Sequence, residues 1–426
     1  MATGVLDRTA FDPALKTNYS PLRMYNLAMK GKPFLTAASK NTNLGGAGQK
    51  IFIQHGNPQG VTAVFKAAQD GASTVLTKAW NLTPVSLYGI STIDGMTIAT
   101  ASKDKDAFIS AVTAQVDGTL DAVGQRLAKF LYGNGGGALG RISSGQGTAT
   151  VTLTNRYDIV NFQPDMKLRV ASTDGTSGSL RTGTVTVKSV NRKTGTVTII
   201  DAETFWTTQI AAAAANDFIF AANGTEAGDF GHNGAGLKSW LLDAAASSTT
   251  FFGVDRSSDN RLYGQYYDGS AETVADAFKH GLFENMLEND RQDLKLFTHP
   301  AQTRDLVALM GQKAQYVQNP GRLPGVGPDG AVGFETIRIV TPMGQVDVAS
   351  DRYCDSNIGW GLYMEGVEVW SAGPFPRVLG EGPGEDGLFI QRQATTDRYE
   401  VRTGGYWNFA IQTPGRHVRI LLPTPA

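Results

Sequence analysis

A run of apolar residues between positions 104 and 132 constrains this chain more than any other feature. Phe108, Val112, Val116, Leu120, Val123, Leu127 and Leu131 recur every three or four residues. At 3.6 residues per turn that spacing gathers them on one helical face. A helix over this stretch is roughly 43 Å long at about 1.5 Å per residue, whereas globular helices usually run about 8–20 residues. Gly133 and Gly135 to Gly137 end it, because glycine adopts the left-handed turn that a helix end requires. A helix of that length needs a large partner surface, from its own chain or from neighbouring copies.

Turn-rich β segments flank the helix. Before it, residues 46–101 read as a long β excursion, with Ile51 and Ile53 alternating about Phe52, and Val75-Leu76 and Val85 to Tyr88 as further short strands. The stretch 56–71 between them is rich in Gly, Gln and Asn. A two-stranded arm buries too little to stand alone, so it must lean on something else. Trp80 and Tyr88 are the expected anchors on a neighbouring subunit, and deleting 56–71 should leave a folded monomer that cannot assemble. After the helix segment, 102–140, the texture changes to Thr–Val alternation across 141–224, as in Thr184-Val185-Thr186-Val187 and Thr196-Val197-Thr198-Ile199. Period two is the half-buried strand signal, and Gly195 sits where a hairpin closes. This segment reads as a small β-barrel or sandwich inserted into the main domain.

The rest is less patterned. Residues 1–45 read as an extended arm with little apolar periodicity. In 225–375 a helix is expected after a cap at Ser270, with Val274, Phe278, Leu282 and Met286 on one face. A strand follows at 294–297, then a helix opened by Pro300. Residues 319–333 form a Gly/Pro loop, and strands resume at 336–340, 346–349, 361–364 and 367–370. The terminal segment 376–426 is strand-like from Tyr399 to Leu422, with breaks expected at Gly404-Gly405 and Pro414-Gly415.

Composition removes several function classes. Lys plus Arg number 38 and Asp plus Glu 39, without the basic excess of a dedicated nucleic-acid binder. Cys354 is the only cysteine, so neither an intramolecular disulfide nor a cysteine-based zinc site can form. No apolar run reaches the length of a membrane-spanning helix. Glycine accounts for 50 of 426 residues, well above the usual ~7%, which implies many turns.

Catalytic motifs do not survive inspection. Three stretches fit G-x-G-x-x-G, at Gly135-Gly137-Gly140, Gly325-Gly327-Gly330 and Gly382-Gly384-Gly387. A dinucleotide site needs that turn after a strand and opening a helix; the first follows a helix, and the others contain Pro328 and Pro383. The five histidines lie too far apart in sequence for a metal pair. Cys354 stands among Asp351 and Asp355, which disfavour a thiolate. Glu381, Glu385 and Asp386 lack calcium-loop spacing. Arg392, Arg398, Arg402, Arg416 and Arg419 punctuate the terminal strands with Asp397 and Glu400 between, and read as intersubunit ion pairs. No enzyme activity and no cofactor are therefore expected.

The order of elements resembles the major capsid protein of tailed bacteriophages, the Hong Kong 97-type fold. The segment from Gly46 through Ile51-Phe52-Ile53 to Val85-Ser86-Leu87-Tyr88 is similar to that family's extended loop. Ala107 to Gly133 is similar to its spine helix. Gly236-Leu237-Lys238-Ser239-Trp240-Leu241 and Phe252-Gly253-Val254-Asp255-Arg256-Ser257 resemble the approach to its axial domain, and Asp293 to Pro300 that domain's strand–turn–helix, with His299 where the family often has Asn. The resemblance implies an α+β fold with an N-terminal arm (1–45), extended loop (46–101), spine helix (102–140), inserted small β-barrel or sandwich domain (141–224), mainly axial domain (225–375) and returning terminal strands (376–426). It implies a virion protein, assembled in the host cytoplasm, that forms hexamers and pentamers of itself in an icosahedral shell around double-stranded DNA, without sequence specificity. Expected partners are a separate scaffolding protein, a portal and a decoration protein, with no membrane. Expected intersubunit contacts are Lys50, Phe52, Trp80, Tyr88, Arg322, Arg398 and Arg402. A nanocompartment shell of encapsulin type and a soluble nucleotide-binding enzyme are the alternative readings.

Overall fold

The structure is a computed structural model that describes residues 26, 28–95, 105–200, 203–222, 226–231, 234–246, 250–288, 294–313, 337–341, 344–379, 391–393 and 396–425. Most of the expected arm, Arg322, the second and third glycine motifs and the acidic group 381–386 lie outside these residues. The apolar repeat forms a helix, Lys105–Tyr132, of 28 residues. Val116, Leu120, Leu127 and Leu131 are wholly buried and Val123 nearly so, so the face set by the 3.6-residue period is the packed one.

Against that face lies the strand Val85–Asp94. Gly89 stands at the contact, where a Cβ would collide with Val123 and Thr119. This strand corrects the reading that joined 85–88 to the excursion. It pairs along its length with the long strand Arg398–Ile411, from Val85↔Trp407 to Asp94↔Arg398. Burial decides the matter, because Leu87, Ser91 and Ile93 face the core, where every backbone polar group needs a partner. The long strand also corrects a second expectation. Gly404 and Gly405 do not break it but run through it at φ of 147° and 156°. A Cβ at Gly405 would meet the Phe375 ring. The break at Pro414 is present, as the turn Pro414–Arg416. Val367–Ser371, Ser39–Asn41, Arg377–Val378 and Gln391–Arg392 complete a six-stranded sheet with these two strands.

The excursion itself is a two-stranded hairpin. Gln49–Gly56 pairs with Leu76–Leu82 from Gln49↔Leu82 to Gly56↔Leu76, with a β-bulge between Gln54 and Gly56. The linking stretch holds a helical turn, Phe65–Asp70, which its Gly, Gln and Asn content did not suggest.

The Thr–Val segment closes into a barrel of six strands: Gly140–Ser144, Thr150–Leu153, Thr196–Ile199, Val185–Asn191, Lys167–Ala171 and Phe218–Ala221, the last pairing back to the first. Val151, Val185, Val187, Val197 and Ile199 are fully buried inside. The outward Thr150 and Thr198 hydroxyls meet across the strands at 2.9 Å. Alternation alone is common to barrels and sandwiches; closure follows from the pairing of first and last strands, which leaves no edge.

A second six-stranded sheet runs in the order Gln265–Asp268, Val418–Leu421, Ile358–Tyr363, Leu294–Thr298, Gly344–Ser350, Ile337–Thr341. The helices Val274–Glu288 and Pro300–Lys313 accompany it. Val274, Phe278, Leu282 and Met286 are all buried. The cap, however, is Thr273 rather than Ser270. Thr273 Oγ1 accepts from the Asp276 N–H at 3.3 Å and donates to its carboxylate at 2.7 Å, the reciprocal geometry that satisfies a first-turn donor. Ser270 is instead turned back on Asp268, whose carboxylate accepts its N–H at 3.0 Å.

Candidate assembly surfaces

The hairpin divides sharply at its bulge. Its root belongs to the body of the chain. Trp80 is 0% exposed, packed edge-on against Trp240 at 5.2 Å and Phe251 at 6.1 Å. This corrects the assignment of Trp80 to a neighbouring subunit: the aromatic cluster it needs comes from its own chain, far away in sequence. Polar contacts tighten the root. Lys78 Nζ donates to Asp255 O at 2.6 Å and Ser258 Oγ at 2.8 Å. Arg261 donates to His55 O at 3.1 Å, and the Asn81 N–H to Phe252 O at 2.9 Å.

On the outer face of the root Phe52 is 74% exposed. Beyond the bulge the hairpin is bare: at the tip Val61 is 85% and Phe65 81% exposed, with Val64, Val75 and Leu76 exposed as well. Ile51 and Ile53 on the opposite face of the same strand are buried. Lys50, next to them, is exposed. A cluster of large apolar groups in water on a segment without a core is the mark of a surface that another molecule covers. Sequence reading named Phe52 and made 56–71 necessary for assembly, but singled out none of the apolar residues at the tip; those at 61, 64 and 65 within a polar stretch were the available signal.

A second patch lies on the sheet. Tyr88 (52%), Ile90 (58%) and Tyr406 (46%) are exposed, with the two tyrosine rings edge-on at 6.4 Å. The Tyr406 hydroxyl, a hydrogen-bond partner, and burial raise the pKa of Tyr88. Arg402 and Arg398 are exposed nearby on the long strand. Three of the arginines assigned to intersubunit pairs have acids in their own chain: Arg402 with Glu400, Arg419 with Asp243 at 3.1 Å and Arg392 with Asp397 at 3.8 Å. Arg416 lies over the Tyr363 ring. Glu400 meets Arg402 because a strand presents alternate residues on one face, whereas Asp243 reaches Arg419 from the segment after the helical turn Leu237–Trp240.

Buried ionisable groups form a separate junction. Lys129 lies between Asp158 (3.2 Å) and Asp355 (3.4 Å), and Lys238 reaches Asp355 at 2.8 Å. Burial opposes the charge on Lys129, but the two carboxylates outweigh it and raise its pKa. Burial likewise opposes the charge on Asp355, and the two ammonium groups overcome it to hold that carboxyl well below its usual range. Beside them Cys354 is buried, and burial, then Asp355 and Asp351, push its thiol well up. His299 is lowered to about 4 by burial, and its Nδ1 accepts from the Ala301 N–H at 3.1 Å. Among the described residues no three His, Cys, Asp or Glu side chains form a group that could hold a metal ion, and no helix is long and apolar enough to cross a membrane.

No family model matches the chain, and none of the curated proteins does. Solved structures do. The chain is similar to one in the capsid asymmetric unit of cyanophage A-1(L), with a TM-score of 0.51 at 12% identity over 92% of this chain and 93% of that one. Similarity extends to the holo-SrpI encapsulin complex from Synechococcus elongatus PCC 7942, at TM-score 0.42 and 8% identity over 93% of this chain and 88% of that one. It also extends to Mycobacterium phage Patience, at TM-score 0.40 and 10% identity over 100% and 91%. At such identities the likeness is one of fold. The chain has the fold of phage capsid subunits, the Hong Kong 97-type fold that the order of its elements resembles.

Proposed function

We propose that this chain is a major capsid protein, a structural rather than catalytic subunit that assembles with copies of itself as hexamers and pentamers into an icosahedral shell around double-stranded DNA. The observation that carries this reading is the hairpin, which exposes Phe52 at its root and Val61, Val64, Phe65 and Leu76 from the bulge outward. Fully burying such a side chain is worth about 1.5–3 kcal/mol, so a neighbouring copy that accepts the tip gains a strong, repeated contact. In this reading the hairpin is the extended loop, Lys105–Tyr132 the spine helix, the sheet containing Leu294–Thr298 the axial domain, and the barrel an inserted domain. A separate scaffolding protein, a portal and a decoration protein are the further partners, and the virion is its location.

Negative-stain electron microscopy of the purified chain, alone and with candidate scaffolding proteins, tests this. Closed shells, or rings of five and six, are expected. Shells that carry protein cargo and no DNA in their native host would move the reading to a nanocompartment. A uniform monomer or dimer under every condition would overturn it.

A further inference from the structure

The hairpin tip, with Val61, Val64 and Phe65 in water, has one counterpart elsewhere on the chain. Outside the hairpin, the exposed large apolar side chains among the described residues are Tyr88, Ile90, Tyr406, Phe205 and Phe283. Phe205 lies between barrel strands and Phe283 on the helix Val274–Glu288, and apolar groups exposed singly need no partner. Tyr88 and Ile90 share a face of their strand, and the Tyr406 ring stands 6.4 Å from that of Tyr88, so these three form a patch.

Beside Tyr88 and Ile90 opens a cavity of about 550 Å³, within the roughly 300–1,000 Å³ of sites that admit bulky apolar groups. On one side it touches four consecutive residues, Leu87 to Ile90. Side chains of a strand alternate between faces, so contact with all four places the cavity at the strand's edge rather than under one face. That edge is open: among the described residues Val85–Asp94 pairs only with Arg398–Ile411, on its other side. The opposite wall is the long helix, which presents Ala114, Gly118 and Ala122. Spacing by four puts them in one line, and all three are exposed. Their small size leaves the space empty: a Cβ on Gly118 would meet nothing within 4 Å.

Charge and reach point to the occupant. Residues 56–76 carry only two charged side chains, Lys66 and Asp70, which pair with each other at 3.3 Å. The cavity wall also holds two, Arg126 and Asp229, paired at 3.0 Å. Each surface is apolar and neutralised within itself, so joining them buries no charge apart from its partner. The strand Gln49–Gly56 has eight residues, which at about 3.3 Å each carry the tip roughly 25 Å from the hairpin's base, toward an adjacent molecule. Contact between two unlike patches of identical chains is head-to-tail, the kind that closes into rings.

We infer that the hairpin tip of a second copy seats in this cavity, with Val64 and Phe65 against the line Ala114, Gly118 and Ala122 and beside Tyr88 and Ile90. The inference rests on the reading of the chain as a shell subunit and names where on that subunit the tip lands. Gly118→Trp tests it by filling the cavity from the helix side. The new side chain enters open space, and losing a helical glycine does not weaken the helix, so the urea midpoint of the unassembled chain should not fall. Shell yield should drop roughly tenfold or more, as when a central anchor loses its site, while Gly118→Ala should assemble like the unaltered chain. Location is read by replacing Phe65 with p-benzoylphenylalanine, mixing heavy-isotope-labelled and unlabelled chains, assembling and irradiating. Mixed-isotope photoproducts that join position 65 to residues 85–94 or 114–126 are expected. Full shell yield from Gly118→Trp, or photoproducts that map elsewhere in the shells, would overturn the docking and leave the shell reading standing. Chains that never associate would overturn both. Should Gly118→Trp fail to fold, the photoproducts alone decide.

Discussion

The hairpin 49–82 and the barrel 140–221 both stand out from the two sheets of the body, and they solve the problem of standing out in opposite ways. The barrel turns its apolar residues inward and pairs its first strand with its last, so it encloses a packed interior that is continuous with the core of the body. The hairpin has two strands and only one buried face, near its root; past the bulge at Gln54–Gly56 its apolar side chains lie in water. A closed sheet is self-sufficient, whereas an open pair of strands is completed by whatever it lies on. The barrel therefore closes on itself and packs into the body at its base, while the hairpin tip asks for a partner.

The sharpest way to break that contrast is at the hairpin's root. Trp80→Ala should destabilise the unassembled chain by about 3–5 kcal/mol in urea unfolding, as for a fully buried aromatic. A loss under about 1 kcal/mol would mean that the root is no more part of the body than the tip is. Within the barrel, Ile199→Ala should cost about 2–4 kcal/mol, read by the same unfolding curve. Indifference there would deny the barrel a packed core.

Acid should separate body from barrel, since the segment 140–221 contains no histidine. His299 is lowered to about 4 and His417 to about 3, both by burial. Each ring accepts a backbone N–H through Nδ1, from Ala301 and from Tyr363. The unfolded chain takes up these protons near pH 6.5 and the folded chain only well below it. Stability is therefore fully present above about pH 6.5 and falls as the pH drops toward 4, by about 2–3 kcal/mol for His299. Urea midpoints measured from pH 7 to pH 4.5 should fall, and fall less steeply in His299→Gln. A flat profile would show that His299 is not buried as a neutral ring. The smallest effect on stability, and the largest on assembly, belongs to the tip. Phe65→Ser should change unfolding by less than about 0.5 kcal/mol, as exposed sites do. It should lower the yield of shells roughly tenfold or more if neighbours bury the ring. Equal yield would remove the tip from the interface.

Local pattern was legible in this sequence and pairing was not. The helix Lys105–Tyr132 and the Thr–Val strands announce themselves through periods of 3.6 and 2 residues, which are properties of the backbone. The aromatic content of the hairpin marked Trp80 and Phe52 alike as contacts for another chain. Only the fold shows that Trp240 and Phe251 come back to cover the first and leave the second bare. Arg402 and Arg419 read as intersubunit ion pairs until Glu400 and Asp243 of the same chain are placed beside them. Gly404-Gly405 read as a stop because glycine usually weakens strands; in place, the pair lets Phe375 and the strand Val85–Asp94 come close.

By itself the sequence determined where the chain is helical, where it alternates, and that it offers no recognisable catalytic set. Tertiary structure alone decided that six alternating strands close rather than stack, that Val85–Asp94 joins the terminal strand rather than the hairpin, and which apolar groups remain in water. The reason is one of range. Period and cap chemistry act over a few residues of backbone. Closure, strand partners and burial depend on contacts between residues far apart in sequence, from Gly140 with Ile219 to Val85 with Trp407, and these exist only once the chain is packed.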